Sequence, residues 1–448
     1  MSGIFNKSND QGVYSAESRE ISYMEFSPQG SNYDSNILFK FNSNEVQQWI
    51  PSQSYLVVKV AMAGVASTQF RPEHITSYPL NRYFARMSHT INGVRVASCE
   101  QPSDYVDGWA DAHTNRDANE SHAGLFNKDP WTISTQNAGA LTHVTAGMRP
   151  QMSLYDLPYC LAGGEHVLQL IPRASTVFPC VTFTTANIYV APLAVRMERA
   201  DLADERFLAY GEEAGSGVAA AAVDAIYEGA ATDFTTPGAA ANPVFTISSV
   251  KLYCAFASPQ VPIQLGGSSG LVTHRMTVPN IQEVSLNTVS LSTTLTIPSS
   301  TYFVQLYAID GTNDHTMAKG PVPFSTSGIQ DIQIRLGGTT YPTVPYASLN
   351  SVTNNDIGRA YADSCNSRCR LSLDSSMPKS LEAFARQPVL NFNIYRAAGD
   401  VDTQIHLRAT LGAAYAAGRL IVVCYANELL AMTYRENELV RVETQAVV

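Results

Sequence analysis

Apolar and polar residues alternate along many short segments of this chain. In "GIQDIQIRLGG", the apolar residues Ile332, Ile334 and Leu336 alternate with polar ones, which predicts a half-buried β-strand. The two glycines at its end predict that the strand stops there. Tyr341-Pro342 then predicts an extended exit, because proline disfavours the helical region for the residue before it. We expect "GGTTYP" to form the loop that leaves the strand.

The same alternation recurs in both halves of the chain. Turn-forming Gly, Pro, Asn and Ser residues separate the segments, which is typical of antiparallel β-sandwiches. Short helices are predicted only at residues 103–112 and 380–386, where a serine could cap each start. Further strands are predicted in "SNILFKF", "SYLVVKVAM", "GEHVLQLI", residues 180–198, "FTISSVKLYCAF", "STYFVQLYAI", "VLNFNIY", "TQIHLRATL" and "RLIVVCYA".

A break in composition divides the chain into two strand-rich regions. Residues 205–243 are rich in Ala and Gly, acidic, and free of strand periodicity, so they predict a connector or surface excursion. A single hydrophobic core stops growing near ~250–300 residues, so a chain of 448 residues is expected to form two large domains. We predict an N-terminal arm at 1–30 and strand-rich domains at 31–204 and 244–448.

The charge and hydropathy of the chain argue against nucleic acid as a direct partner and against insertion in a membrane. The net charge is −10, and charged residues make up only 15% of the chain, which argues against a broad phosphate-binding face. The first twenty residues carry one Lys and one Arg, so we expect neither a basic arm nor a signal peptide there. No stretch reaches the ~18 apolar residues of a membrane span. Direct sequence-specific binding of nucleic acid and a transmembrane segment are therefore not expected.

The cysteine pattern predicts free thiols. Seven cysteines are scattered along the chain, and most lie in strand-like apolar runs, which favours buried, reduced residues. Cys365 and Cys369 form a C-x-x-x-C pair without a second pair nearby. A closed structural zinc site needs four ligands, so no metal site is predicted there.

Two other segments match catalytic or metal-binding motifs only in part. "GGSSG", around Ser268, has the G-x-S-x-G spacing of a serine hydrolase, but the β-branched "LVTHRMTVP" follows where that motif needs a helix. We expect a flexible polar loop at Ser268. "DGTNDH", at residues 310–315, departs from the calcium-loop pattern, and its Asp-Gly and Asn-Asp pairs are typical of turns.

The remaining titratable candidates have ordinary structural explanations. His166 and His406 lie within strand alternations, where a satisfied or solvent-facing histidine is expected. Asp201, Asp204 and Glu205 form an acidic run that predicts a solvated surface. No catalytic residue, cofactor site or metal site is therefore predicted, and an enzyme is the least favoured class.

Several segments together resemble the double jelly-roll major capsid proteins of polinton-like viruses, adintoviruses and virophages, of the adenovirus-hexon-like lineage. The segment from "TLTIPSS" through "GPVPF" to "GGTTYP" is similar to part of that family's second jelly roll, although "GPVPF" stands where the family often has "NPF". "SNILFKF", "WIPSQSYLVVKVAM" and "LPYCLAGGEHVLQLIPR" are similar to segments of its first jelly roll. The resemblance covers most of the chain in order, by short motifs.

The resemblance implies an all-β fold of two tandem eight-stranded antiparallel jelly rolls, at 31–204 and 244–448, with short helices in loops. It also implies a major capsid protein whose trimers form pseudo-hexameric capsomers of an icosahedral virion shell, made in the host cytoplasm or nucleus. The implied partners are other copies of the chain, penton proteins and minor capsid proteins, and no cofactor is implied.

Two alternatives stay open at this stage. A tandem β-sandwich binding protein, such as a lectin or a receptor-binding spike, would fit the same strands. A single-jelly-roll coat protein that binds its genome directly is disfavoured by the acidic balance and by the lack of an Arg-rich arm.

Overall fold

The structure of the chain, a computed structural model, consists mainly of antiparallel β-strands. It describes residues 18–30, 33, 35–63, 84–100, 132–135, 141–157, 159–172, 182–183, 189–190, 244–259, 270–310, 322–323, 329–346, 349, 356–368, 381, 384, 388–395, 402–412, 418–435 and 438–446.

A first group of strands forms two sheets. The strands of this group are β1 (Ser18–Phe26), β2 (Ile37–Ser43), β3 (Gln48–Ala63), β4 (Phe84–Ile91), β5 (Val94–Glu100), β6 (Thr132–Thr135), β7 (Leu141–Met148), β8 (Gly164–Pro172) and β11 (Val244–Pro259). Two short strands between β8 and β11 in the chain, β9 (Thr182–Phe183) and β10 (Tyr189–Val190), form a separate two-stranded sheet. One sheet has the order β1-β11-β3-β7-β6 and the other the order β2-β8-β4-β5. A 3₁₀ turn, Ser153–Asp156, lies between β7 and β8.

A second group of strands forms two more sheets. Its strands are β12 (Gly270–Ser285), β13 (Ser290–Thr296), β14 (Thr301–Asp310), β15 (Val322–Pro323), β16 (Ile329–Leu336), β17 (Thr339–Tyr341), β18 (Leu390–Asn393), β19 (Gln404–Leu411), β20 (Gly418–Arg435) and β21 (Glu438–Ala446). One sheet has the order β12-β20-β14-β15, with β18 paired to β14 and β21 to β20. The other has the order β13-β19-β16-β17, and helix α1 (Asp356–Arg368) lies between β17 and β18 in the chain.

Both groups have the strand order of a jelly roll. Eight main strands can be numbered along the chain in each group: β1, β2, β3, β4, β5, β7, β8 and β11 in the first, and β12, β13, β14, β16, β17, β18, β19 and β20 in the second. In both, strands 1, 8, 3 and 6 form one sheet and strands 2, 7, 4 and 5 the other. This is the double-sheet arrangement of a jelly roll. The predicted fold class of two tandem antiparallel jelly rolls is confirmed.

Strand β11 belongs to the first jelly roll. It is hydrogen-bonded between β1 and β3, and its inward side chains Val250, Leu252 and Cys254 complete the first core. From its position in the chain this strand is predicted in the domain at 244–448, and β1 in the arm at 1–30, because alternation identifies a strand but not its sheet partners. Residues 205–243 lie outside the described residues, and in chain order they fall between β10 and β11. The domain limits themselves stay a prediction.

The predicted faces of individual strands agree with the burial of their side chains. Ile37, Phe39 and Phe41 are buried on one face of β2, and Ile332 and Ile334 on one face of β16. The "TTYP" segment differs from the predicted loop, since β17 pairs back onto β16 across the two glycines. A two-residue turn between strands needs a left-handed backbone, which Gly337 adopts with a φ of +55°.

The helices were harder to predict. Residues 103–112 lie outside the described residues, and within 380–386 the structure describes helical residues at 381 and 384. Helix α1 was not predicted, because its sequence is mostly polar. It buries Ile357, Ala360 and Ser364 on one side, which is the i, i+3, i+7 spacing of a helix packed against a core. Of residues 180–198, only the two short strands β9 and β10 are described.

Candidate functional site

The sheet that contains β14 and β20 buries both of its faces. Val304 and Cys424 point to the second core, whereas Phe303, Val423 and Tyr425 belong to a buried cluster that is continuous with the first core. All five side chains have 0% of their surface exposed. The two jelly rolls are therefore joined by an apolar interface that covers the outer face of this sheet.

Polar contacts close one end of this interface. The Tyr434 hydroxyl donates a 2.6 Å hydrogen bond to the Ala162 carbonyl, and the Asn92 side-chain amide donates one of 3.2 Å to the Leu439 carbonyl. Gly164 has a φ of +103°, and a Cβ added there would lie 2.8 Å from Leu439 Cδ2. Only glycine fits such a position without a shift of its neighbours. The jelly rolls are thus packed in direct contact at this end.

A chain of hydrogen bonds runs through the core of the first jelly roll. The Tyr155 hydroxyl lies 3.3 Å from His89 Nδ1, His89 Nε2 lies 3.3 Å from His166 Nδ1, and His166 Nε2 lies 2.9 Å from Ser43 Oγ. Ser43 Oγ also donates to the Gly163 carbonyl at 3.2 Å. Because a carbonyl only accepts, each group in the chain donates to the next when both imidazoles are neutral.

Aromatic rings enclose the two histidines. Trp49 stacks on His89 with ring centroids 5.0 Å apart, and Phe41 stacks on His166 at 4.9 Å. Burial lowers the pKa of His89 well below its usual value, and it lowers the pKa of His166 to about 3. Burial also raises the pKa of the Tyr155 hydroxyl well above its usual value. The arrangement stabilises neutral side chains in a closed interior, which is a structural role.

Of the residues singled out from sequence, His166 and His406 are described, and they lie in different jelly rolls. Ser268, residues 311–315 and the acidic run Asp201, Asp204 and Glu205 lie outside the described residues. His166 is a satisfied buried residue, as expected, whereas His406 is exposed on β19 and its Nδ1 lies 2.8 Å from Thr294 Oγ1. Sequence reasoning did not find His89 as the partner of His166, because 77 positions separate the two residues.

The cysteines in the described part of the chain are thiols rather than disulfides. Cys99, Cys160, Cys254 and Cys424 are buried, and burial raises the pKa of the Cys160 thiol to about 12. Cys365 lies in α1, while Cys369 is outside the described residues. Within the described part of the chain, no group of three or more His, Cys, Asp or Glu side chains could hold a metal ion. No helix there is long and apolar enough to cross a membrane.

The outer face of the first jelly roll's β1-β11-β3 sheet carries three tyrosines, which we call the tyrosine face: Tyr23, Tyr55 and Tyr253. The rings of Tyr55 and Tyr253 stack with centroids 5.3 Å apart, and Tyr23 lies 6.2 Å from Tyr55. The Tyr253 hydroxyl donates to Glu25 Oε2 at 2.7 Å, and Lys251 Nζ lies 2.5 Å from Glu25 Oε1. These bonds to Lys251 and Tyr253 lower the pKa of the Glu25 carboxyl.

The tyrosine face has a counterpart in the second jelly roll. Tyr55 and Tyr253 are register partners on strands 3 and 8 of the first jelly roll, and Phe303 and Tyr425 are register partners on strands 3 and 8 of the second. The latter pair is fully buried at the interface between the jelly rolls, whereas Tyr23, beside the former pair, is 53% exposed. The sequence signal for this face is an aromatic residue on the otherwise polar side of a predicted strand.

Comparisons with known proteins agree with the double jelly-roll fold. No protein-family model matches the sequence, and no curated protein matches it. The structure is similar to the mavirus major capsid protein, with a TM-score of 0.50 and 9% identity over 100% of this chain and 93% of that one. It is similar to a chain of the Sputnik virophage structure, with a TM-score of 0.50 and 12% identity over 98% of this chain and 91% of that one.

A third structure extends this agreement. The chain is similar to PBCV-1 VP54 fitted into a reconstruction of the virophage Sputnik, with a TM-score of 0.50 and 10% identity over 98% of this chain and 99% of that one. The expected resemblance to double jelly-roll major capsid proteins is thus confirmed at the level of the fold, over nearly the whole chain.

Proposed function

We propose that this chain is a viral major capsid protein that self-assembles into the shell of an icosahedral virion. The observation that carries the proposal is the repeated jelly-roll strand order, present twice in one chain, with the two units packed through an apolar interface. The similarity to the mavirus major capsid protein over the whole chain supports it. Function on this proposal resides in surfaces rather than in a reaction, and the protein is not an enzyme.

The proposed assembly unit is a trimer. Three copies of a chain with two similar jelly rolls give a ring of six similar walls, which can occupy a six-fold position in a shell. Closed cyclic symmetry leaves no unpaired face at the ring, whereas an open head-to-tail contact would continue into fibres. The low charged fraction of 15% is compatible with a surface that is largely covered by neighbouring copies.

Further partners and the domain limits also belong to this proposal. Neighbouring trimers, penton proteins and minor capsid proteins would complete the shell, and the acidic balance argues against direct sequence-specific binding of the genome. The strand pairings favour a first jelly roll that extends to Pro259 and a second one that begins at Gly270.

The oligomeric state of the purified full-length chain tests the proposal. Size exclusion with light scattering should give a mass of three chains at micromolar concentration, and negative-stain images should show compact hexagonal particles. A monomer whose mass does not change on concentration would contradict the capsomer and would favour a tandem binding module such as a lectin or receptor-binding spike.

A further inference from the structure

The two jelly rolls present the same sheet face in different surroundings. In the second jelly roll, the outer face around Phe303 and Tyr425 is covered by the first jelly roll of the same chain. In the first jelly roll, the corresponding outer face around Tyr55 and Tyr253 is covered less completely, and Tyr23 at its edge is 53% exposed. One of two topologically equivalent aromatic faces is therefore fully buried within the chain, whereas the other is only partly covered.

We infer that the tyrosine face binds the second jelly roll of another copy of this chain. The inference rests on the proposed capsid function and names the surface through which copies associate. Within one chain, the contact joins the first jelly roll to the outer sheet face of the second. The same relation, repeated between chains, joins the second jelly roll of one copy to the outer sheet face of the first jelly roll of the next.

The chemistry of the tyrosine face suits a protein partner. Tyrosines supply large contact area at a low cost in side-chain entropy and are enriched at the centres of protein interfaces. The rings of Tyr55 and Tyr253 stack on each other, and Glu25 and Lys251 satisfy each other's charge beside them. A paired charge next to an aromatic patch can be covered without leaving an unpaired ion.

Charge insertion at Tyr23 tests this surface. Tyr23→Lys changes an exposed residue on edge strand β1, so the fold of the single chain should be retained. The matched control is Tyr395→Lys, since Tyr395 follows β18 in the second jelly roll and is 66% exposed. We expect Tyr23→Lys to raise the concentration at which half of the chains are assembled by about 30-fold or more, which is the effect of replacing an interface hot-spot residue. Tyr395→Lys should leave this concentration unchanged.

A measurement on the unmodified protein complements the variants. Hydroxyl-radical footprinting of the assembled chain should label Tyr23 far less than Tyr395, although their exposed fractions within one chain are similar, 53% and 66%. This readout also decides the question if Tyr23→Lys fails to fold.

The outcomes separate this inference from the proposed function. If the unmodified chain is trimeric but Tyr23→Lys assembles equally well, or Tyr23 is labelled as strongly as Tyr395, the tyrosine face is not the contact and the capsid proposal stands. If the unmodified chain stays monomeric at every concentration, the capsid proposal fails and this inference fails with it.

Discussion

The two jelly rolls share a strand order but fill their interiors with different chemistry. On the sheet of strands 2, 7, 4 and 5, the first jelly roll points Phe41, His89 and His166 inward, whereas the second points in aliphatic side chains such as Ile334 and Leu407. The first interior combines stacked rings with a directional hydrogen-bond chain. The second relies on apolar burial and close packing.

Two cores with the same strand order can therefore respond differently to a change in pH. An aliphatic core has no group that can take up a proton, whereas the first interior is stable only while His89 and His166 are neutral. The interior of the first jelly roll should therefore be more acid-sensitive than the aliphatic interior of the second. His274 on β12 of the second jelly roll is also buried, and burial lowers its pKa to about 4, but its ring lies beside Tyr159 at the interface rather than in that aliphatic interior.

The largest expected effect comes from removing the ring at the centre of the first interior. Trp49→Ala would delete the ring that stacks on His89 and the Nε1 donor that bonds Ser54 Oγ at 2.8 Å. We expect a loss of about 3–5 kcal/mol in the free energy of unfolding, measured by chemical denaturation. Ile334→Val in the second interior should cost about 1 kcal/mol. Equal effects of the two substitutions would remove the contrast between the cores.

Acid should destabilise the interior of the first jelly roll before the aliphatic interior of the second. Burial lowers the pKa of His89 and His166 in the folded chain, so below the unfolded value of about 6.5 the unfolded chain binds more protons. Stability present above pH 6.5 is then lost as the pH falls toward about 3, the folded pKa of His166, by up to about 1.4 kcal/mol per pH unit for each histidine.

Hydrogen exchange between pH 7 and pH 5 locates this effect. After correction for the intrinsic exchange rates, protection of β4 and β8 should fall before that of β16 and β19. The substitution His406→Gln removes a histidine from the exposed side of β19 and leaves the buried pair in place, so it serves as the control, and β4 and β8 should still lose protection first in this variant. Equal loss of protection in both jelly rolls would contradict the assignment of acid sensitivity to the buried pair.

Two glycines allow the cost of a clash at the interface between the jelly rolls to be separated from the cost of backbone strain. Gly164 and Gly30 have nearly the same φ, +103° and +102°, but an added Cβ meets Leu439 Cδ2 at 2.8 Å only at Gly164 and has nothing within 4 Å at Gly30. Both alanine variants should carry backbone strain of about 1 kcal/mol or more, and Gly164→Ala should cost an additional 1–2 kcal/mol, roughly, from the clash. Thermal unfolding of the two variants measures the difference. Equal losses of stability would show that the interface relaxes to accommodate the added methyl group.

The smallest expected effect concerns a surface ion pair. Lys40 Nζ and Glu165 Oε2 are 2.5 Å apart across β2 and β8, but both side chains are 44% exposed. Glu165→Gln should therefore cost less than about 1 kcal/mol and lose its effect at high salt, as seen by denaturation with and without added salt. A larger cost would mean that the outer surface of this sheet contributes as much as its interior.

Alternation along the sequence predicted the strands and their inward faces, because burial acts locally on every second residue. It identified Ile37, Phe39 and Phe41 correctly, yet it could not assign β11 to the first jelly roll, since the hydrogen-bond partners of a strand lie far away in sequence. For the same reason a satisfied or solvent-facing histidine was expected at His166, and its partners His89 and Ser43 were not named. The tyrosine face could not be predicted from the sequence, because its prediction requires knowing which sheet face another jelly roll covers.

The position of β11 also shapes how the chain folds as it is synthesised. Strands β1 and β3 are not paired with each other but with β11, which is made only after residues 64–243 have been added. At ~5–20 residues per second, translation of that segment takes roughly 10–40 seconds. During this interval the position between β1 and β3 is unfilled, and the inward side chains of β3 lack the strand that completes their core. The first jelly roll can therefore be completed only after translation has passed β11.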